Sequence, residues 1–244
     1  MKISVDAIIF SAFLGEMNHY KESLTDLEEI SAPPMQYLIG NYRGKIVALT
    51  HSGLGKVQAT ISFTLAFTYF APKIALFTGT AGAVNLGLKT GSVIIGQRCI
   101  DADLFGVHKA LTGTGFEEAL KHRHADGLIP EEYFADERLV KLADQYDAPW
   151  KKIGCLGTSD NFPSPKEKIA ALREAGVDTM DMEASAFYNT AAVFEIAALA
   201  IRSVSNTLDE TGGDEAVHAA DIRTADRPAA MALHIVGSVE SLGL

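Results

Sequence analysis

A chain of 244 residues, 48% hydrophobic and 21% charged, is long enough to bury a full core and short enough to be one domain over 1–244. Its formal net charge of −10 comes from acids scattered along the whole length, without the Lys/Arg block of a nucleic-acid binder. The expected partner is therefore a small molecule rather than nucleic acid or a membrane. No run reaches the roughly 20 apolar residues of a membrane span, and Asp6 stands where a signal peptide would carry positive charge, so a cytoplasmic protein is expected. Cys99 and Cys155 are the cysteines, neither at metal-ligand spacing; both read as buried free thiols, and no metal or cofactor is expected.

In chain order, residues 3–13 read as a buried strand and 15–24 as a polar helix, which puts Glu16 just past a strand end. Residues 37–42 and 46–50 flank Arg43-Gly44-Lys45 as a hairpin, and the glycines of Ser52-Gly53-Leu54-Gly55-Lys56 lead into a helix over 57–70. Glycines between a strand and a helix bring backbone amides close to a ligand, although a tight turn explains Gly53 and Gly55 equally well. Pro72 stops that helix. Residues 74–78 form a continuous apolar strand of the kind buried on both faces, ending in the small residues 79–83, and 91–100 form another. The irregular stretch 104–132, with His108, His122 and His124, reads as a long loop over the site with the histidines on the surface.

Further on, a helix is expected over 136–146, a strand over 152–156, a turn-rich loop over 157–163, and a helix from Pro165 to about 175. The strand 177–182 leads into Glu183 and a helix over 184–194. The apolar strand 196–204 ends in Ser205-Asn206-Thr207, followed by a loop over 208–224 and a final helix over 228–242. Strands and helices alternate, which predicts a three-layer α/β/α sandwich with a mixed, mostly parallel central sheet.

Glu16, Gly53, Thr80, Phe162, Glu183 and Ser205-Asn206 all fall at strand ends, and in a parallel sheet those ends share one edge where ligands bind. On residue type alone this supports a small polar ligand and no more. Glu183 reads equally well as a favourable acid at a helix N-terminus.

Ser52-Gly-Leu-Gly-Lys-Val57, Thr78-Gly-Thr-Ala-Gly82, Met182-Glu-Ala-Ser185 and Arg202-Ser-Val-Ser-Asn206 resemble, in order and spacing, the motifs of the nucleoside phosphorylase and nucleosidase superfamily. The resemblance covers nearly the whole chain and is strongest to bacterial 5′-methylthioadenosine/S-adenosylhomocysteine nucleosidases. It implies that Glu183 binds the ribose hydroxyls with Met182 against the sugar, and that Glu16 activates water as a general base. It implies that Thr80, with Ala81 and Gly82, helps place that water, and that Phe162 stacks on the purine with Pro163 facing the base edge. Phe13, Leu54, Leu104 and Phe105 are implied as an apolar wall for the 5′ substituent. It also implies a homo-oligomer, a dimer first.

Phe77 stands where the hexameric phosphorylases of that superfamily carry a phosphate-binding arginine. Bidentate phosphate recognition favours guanidinium groups, so its absence there favours water as nucleophile. The departure is Asn206, beside Ser205, where nucleosidases carry an aspartate that protonates N7 of the leaving adenine. An amide donates a hydrogen bond but delivers no proton. Three accounts stand open: a preference for 6-oxopurine nucleosides of the inosine or futalosine kind, an introduced Asp-to-Asn exchange in an ordinary nucleosidase, and a slow or non-catalytic purine-nucleoside binder.

Overall fold

The computed structural model describes residues 2–115, 130–162, 164–208 and 221–243. One mixed sheet is built from β1 (Ile3–Ser11), β2 (Thr25–Ala32), β3 (Met35–Tyr42), β4 (Lys45–His51), β5 (Phe70–Ala83), β6 (Val93–Asp101), β7 (Glu132–Phe134), β8 (Lys151–Thr158), β9 (Thr179–Asp181) and β10 (Ala197–Thr207). The helices are α1 (Asn18–Ser23), α2 (Lys56–Tyr69), α3 (Val107–Leu111), α4 (Glu137–Asp144), α5 (Lys166–Glu174), α6 (Ala184–Val193) and α7 (Asp226–Gly237). None of these helices is long and apolar enough to cross a membrane.

The strand order is β10-β6-β8-β9-β5-β1-β4-β3-β2, with β7 on β6, and β10 also pairs with β5. Five strands, β5, β10, β6, β8 and β9, therefore close on themselves, and the rest of the sheet extends from β5. The length of β5 makes this possible. Its first half pairs with β1 along residues 70–77, its last residues Gly82 and Ala83 pair with β9, and its other edge carries β10. The sheet is mixed, as expected, but not mostly parallel: parallel and antiparallel pairs are equal in number among the described residues, because β2, β3 and β7 add antiparallel edges.

The layers follow from which strand residues point to which face. On one side α2 and α6 bury the rings of Phe10, Phe63, Phe67, Phe77 and Phe187 in one cluster, with Phe10 and Phe63 edge to face at 4.8 Å; such pairs add to area burial. On the other side α1, α4 and α7 contribute Tyr20, Leu139, Met231 and Ile235 to a second core. Leu172 of α5 belongs to a third, smaller cluster with Val84 and Ile100. Both cysteines are buried free thiols. Arg43 and Gly44 take left-handed φ values of 50° and 81° and turn the chain between β3 and β4, the geometry a two-residue hairpin loop requires.

Several elements differ from the sequence expectation. The small residues 79–83 continue β5 instead of ending it, because β10 pairs with them as far as Ala83. The acidic stretch 25–32 is a strand, held as the outer partner of β3. The helix expected over 15–24 is a 3-10 turn, Leu14–Met17, followed by α1. Within 104–132 the structure shows α3 and the start of β7; His122, His124 and the side chain of His108 lie outside the described residues, as do Pro163 and most of the 208–224 loop.

Candidate active site

β9 is three residues long before α6 begins, and Glu183 stands at the joint as the N-cap residue of α6. Its carboxylate makes no capping hydrogen bond. Asp181 Oδ1 fills that place, accepting from the amides of Glu183 at 3.2 Å and Ala184 at 3.1 Å. Glu183 Oε1 instead accepts from the amide of Gly55 at 2.9 Å, at the start of α2. The acid is therefore aimed across the strand ends, which separates it from an ordinary helix-terminus acid.

Glu16 arrives from the turn after β1 and is 3% exposed. Its Oε2 accepts from the Ala12 amide at 3.0 Å, and its Oε1 from the amide and hydroxyl of Thr80 at 2.7 and 3.0 Å. A carboxylate offers about four lone-pair sites, so one on Oε2 is left for a further donor. Beside it lies Gly79, with φ +151°; a Cβ there would stand 2.6 Å from Glu16 Oε2 and 2.8 Å from Arg202 Nη1. The close approach of acid and guanidinium leaves room for glycine alone.

Arg202 is fully buried in β10, with Nε donating to Asp181 Oδ2 at 2.7 Å and Nη2 3.7 Å from Glu183 Oε2. Its guanidinium lies 3.8 Å over the Phe77 ring, a cation–π contact. Neither Nη1 nor Nη2 has a hydrogen-bond partner among the described residues. One cation thus faces three buried carboxylates. Burial pushes the Glu16 carboxyl up from its ordinary value, with Arg202 opposing. Burial and the neighbouring charge of Asp181 raise Glu183 to about 7, against the pull of Arg202 and the Gly55 amide.

These groups border a cavity of about 350 Å³. Glu16, Thr80, Met182 and Glu183 line it together, with Phe13 and Leu54 as apolar wall and Phe162 entering from the loop after β8. Ala81 and Gly82 of β5 and Ser205 and Asn206 of β10 supply its remaining side. The register between these two strands slips between Val204 and Asn206, and such a bulge re-aims the side chains around it. Ser205 Oγ lies 2.7 Å from Asn206 Oδ1 and 3.3 Å from the Ala81 carbonyl, and its single proton can go to one of them.

Of the residues singled out in the sequence, Phe105 and Leu104 do not line this cavity; Phe105 is 42% exposed in the turn before α3. Pro163 lies outside the described residues. Sequence reasoning assigned no role to Arg202, Asp181, Asn161 or Leu208. The signal for Arg202 was present, since a charge inside an apolar strand must be paired. Among the described residues lining the cavity there is no lysine or arginine.

An acid-lined cavity at the strand ends of an α/β sheet with a phosphorylase-like ring of strands defines the class, and the sequence profile of the Phosphorylase superfamily matches residues 6–239. The chain belongs to this superfamily. It is 32% identical over 232 residues to the 5′-methylthioadenosine/S-adenosylhomocysteine nucleosidase of Staphylococcus carnosus, covering 88% of this chain and 95% of that protein. It is 30% identical to the protein of the same name from Listeria innocua, covering 87% and 92%. The structure of the Neisseria meningitidis nucleosidase with methylthio-immucillin-A superposes with a TM-score of 0.78 at 25% identity, over 95% of this chain and 98% of that one. The fold is also shared with the futalosine hydrolase of Helicobacter pylori, with a TM-score of 0.77 at 22% identity, over 96% and 97%.

Proposed function

We propose that the chain is a hydrolase of the N-ribosidic bond of purine nucleosides, with 5′-methylthioadenosine and S-adenosylhomocysteine as lead substrates. The observation that carries this reading is the pair of buried acids, Glu16 and Glu183, bordering one cavity that no lysine or arginine lines among the described residues. The relatives at 30% identity and above bear the same activity in their names.

In this reading the ribose hydroxyls donate to Glu183, whose Oε1 is fixed by Gly55. A carboxylate suits two hydroxyl donors, and its charge stabilises the oxocarbenium-like transition state. Water donates to the open site on Glu16 Oε2 and adds to the anomeric carbon; its proton passes to Glu16 as the carbon–nitrogen bond breaks and its electron pair moves into the purine. Thr80 holds the other oxygen of Glu16 and so sets the direction of the open site. Phe162 stacks on the base and Asn206 donates to its N7 edge. Among the described residues phosphate would meet two carboxylates and no lining cation, which supports water as nucleophile. The test is the sugar product in phosphate buffer: the free 5′-substituted ribose is expected, and its 1-phosphate would overturn the hydrolase reading.

The asparagine lining the cavity at 206 supports a second reading of the base. A 6-oxopurine presents two acceptors, N7 and O6, along the edge where adenine presents one acceptor and one donor. An amide NH2 donates to both acceptors of the 6-oxopurine edge. Chromatography of free base released from inosine-type against adenosine-type substrates decides between them; faster hypoxanthine release selects the second reading.

The proposal extends to a cytoplasmic homodimer. Leu54, Val57 and Ile61 are 61%, 68% and 47% exposed at the start of α2, beside the cavity, and contact with a second copy would cover them. Light scattering on the purified chain reads the mass directly, and a monomer at micromolar concentration would refute this part.

A further inference from the structure

A carboxylate outside the cavity helps hold the loop that brings Phe162 to it. Asp103, just past the end of β6, accepts from the Ser159 hydroxyl at 2.7 Å through Oδ1 and from the Asp160 amide at 2.9 Å through Oδ2. Ser159 Oγ in turn accepts from the Asn161 amide at 3.1 Å. The Ser159 amide also donates to the Asp181 carbonyl at 3.0 Å and the Ser164 hydroxyl to the Asn161 carbonyl at 2.6 Å, so Asp103 adds the side-chain tie on the α5 side of the loop.

That side chain is itself fixed from two directions. Lys168 Nζ of α5 lies 2.6 Å from Asp103 Oδ1, and Lys56 Nζ of α2 lies 2.9 Å from Oδ2. Lys56 also reaches Asp101 Oδ1 at 2.9 Å, and Asp101 Oδ2 accepts from the Ser185 hydroxyl at 3.0 Å, in the first turn of α6. The main chain repeats the link. Successive amides at Gly55 and Lys56 donate to Glu183 Oε1 at 2.9 Å and to Asp160 Oδ1 at 2.7 Å. Burial opposes ionisation of Asp103, but Lys168, Lys56 and the loop donors outweigh it and hold its carboxyl well below the usual range.

We propose that Asp103 is a positioning residue for the base: through the Ser159 hydroxyl, which also holds the Asn161 amide, and through the Asp160 amide it fixes where Phe162 meets the purine. This rests on the purine-nucleosidase reading. Asp103 lines no part of the cavity and touches no substrate. Its ion pairs are partly exposed, and such pairs contribute little to stability. What it supplies is loop geometry.

The test compares Asp103→Ala and Asp103→Asn with the unaltered chain, with adenine and hypoxanthine as free-base probes and methylthioadenosine as substrate. Asp103→Ala is expected to raise KM and the inhibition constant of the free base about tenfold or more with kcat within about threefold, because loss of loop order weakens base contacts without moving Glu16. Asp103→Asn, which keeps one acceptor, is expected to fall between. Hydrogen exchange at the Asp160 and Asn161 amides should accelerate at least about tenfold while β5 is unchanged. Unchanged exchange overturns the proposal whatever the substrate. Faster exchange with base affinity within about twofold also overturns it, as does a loss that follows a general fall in melting temperature. Absence of base release by the unaltered chain refutes the nucleosidase reading instead, and the exchange and free-base arms still decide the role of Asp103.

Discussion

The acid half of the cavity and its base half are built differently. Glu16, Glu183 and Arg202 are each at most 3% exposed, and β5, β9, β10 and the turn after β1 fix their backbones. Phe162 is 51% exposed on a loop, and Asn206 sits at a bulge. A rigid, charged half suits the part of a substrate that never varies, and an exposed half set by side-chain anchors suits the part that does. The difference teaches where to look for each property: chemistry in the acid half, choice of base in the other.

The largest expected effect falls in the acid half. Glu16→Gln keeps one of the two accepting oxygens and removes the base, and kcat should drop on the order of 10²- to 10⁴-fold in a base-release assay; a loss under tenfold would assign the base elsewhere. Next comes the base half. Asn206→Asp restores a proton donor and should raise adenine release at least about tenfold. An unchanged rate would remove the adenine reading and leave the 6-oxopurine or binder account.

The pH profile then separates the halves. Glu183 sits near 7 and must be ionised to act, so kcat/KM should fall about tenfold per pH unit below that value, a limb that Asn206→Asp leaves in place. The sign for stability is opposite. Between 4.5 and about 7 the folded chain binds the Glu183 proton more tightly than the unfolded chain does. The ligand-free protein therefore loses stability as pH rises through that window, a trend a melting-temperature series reads. The smallest effect is Phe162→Ala, which should weaken base binding about fivefold or more, since stacking on a base is worth about 1–3 kcal/mol. Equal losses in KM and kcat would argue that Phe162 also supports the acid half.

Much of this was legible in the sequence for a physical reason. Glu16 and Thr80 sit beside glycines, and Glu183 and Asn206 follow apolar runs, features that local pattern alone makes visible. Closure of the strand ring was not, because it depends on which strands pair, a non-local choice that the 14 residues of β5 settle. β2 escaped notice because its residues are polar, and its pairing with β3 is all that makes it a strand. Phe105 was set in the wall from a stretch with no periodicity to fix its register. Arg202, Asp101 and Asp103 had no visible partner in the linear chain; each finds one across the fold, 21, 45 and 65 residues away.

The ring of strands also decides how the sheet meets its neighbours. β5, β10, β6, β8 and β9 pair around a circle, so this half of the sheet has few free edges to template another chain. At the far end the sheet finishes on β2, which exposes Asp26, Glu28 and Glu29. Like charges along that edge repel a second copy laid against it. Self-templated aggregation is thus opposed by geometry at one end of the sheet and by charge at the other, and neutralising the three acids should make β2 the place where fibrils start.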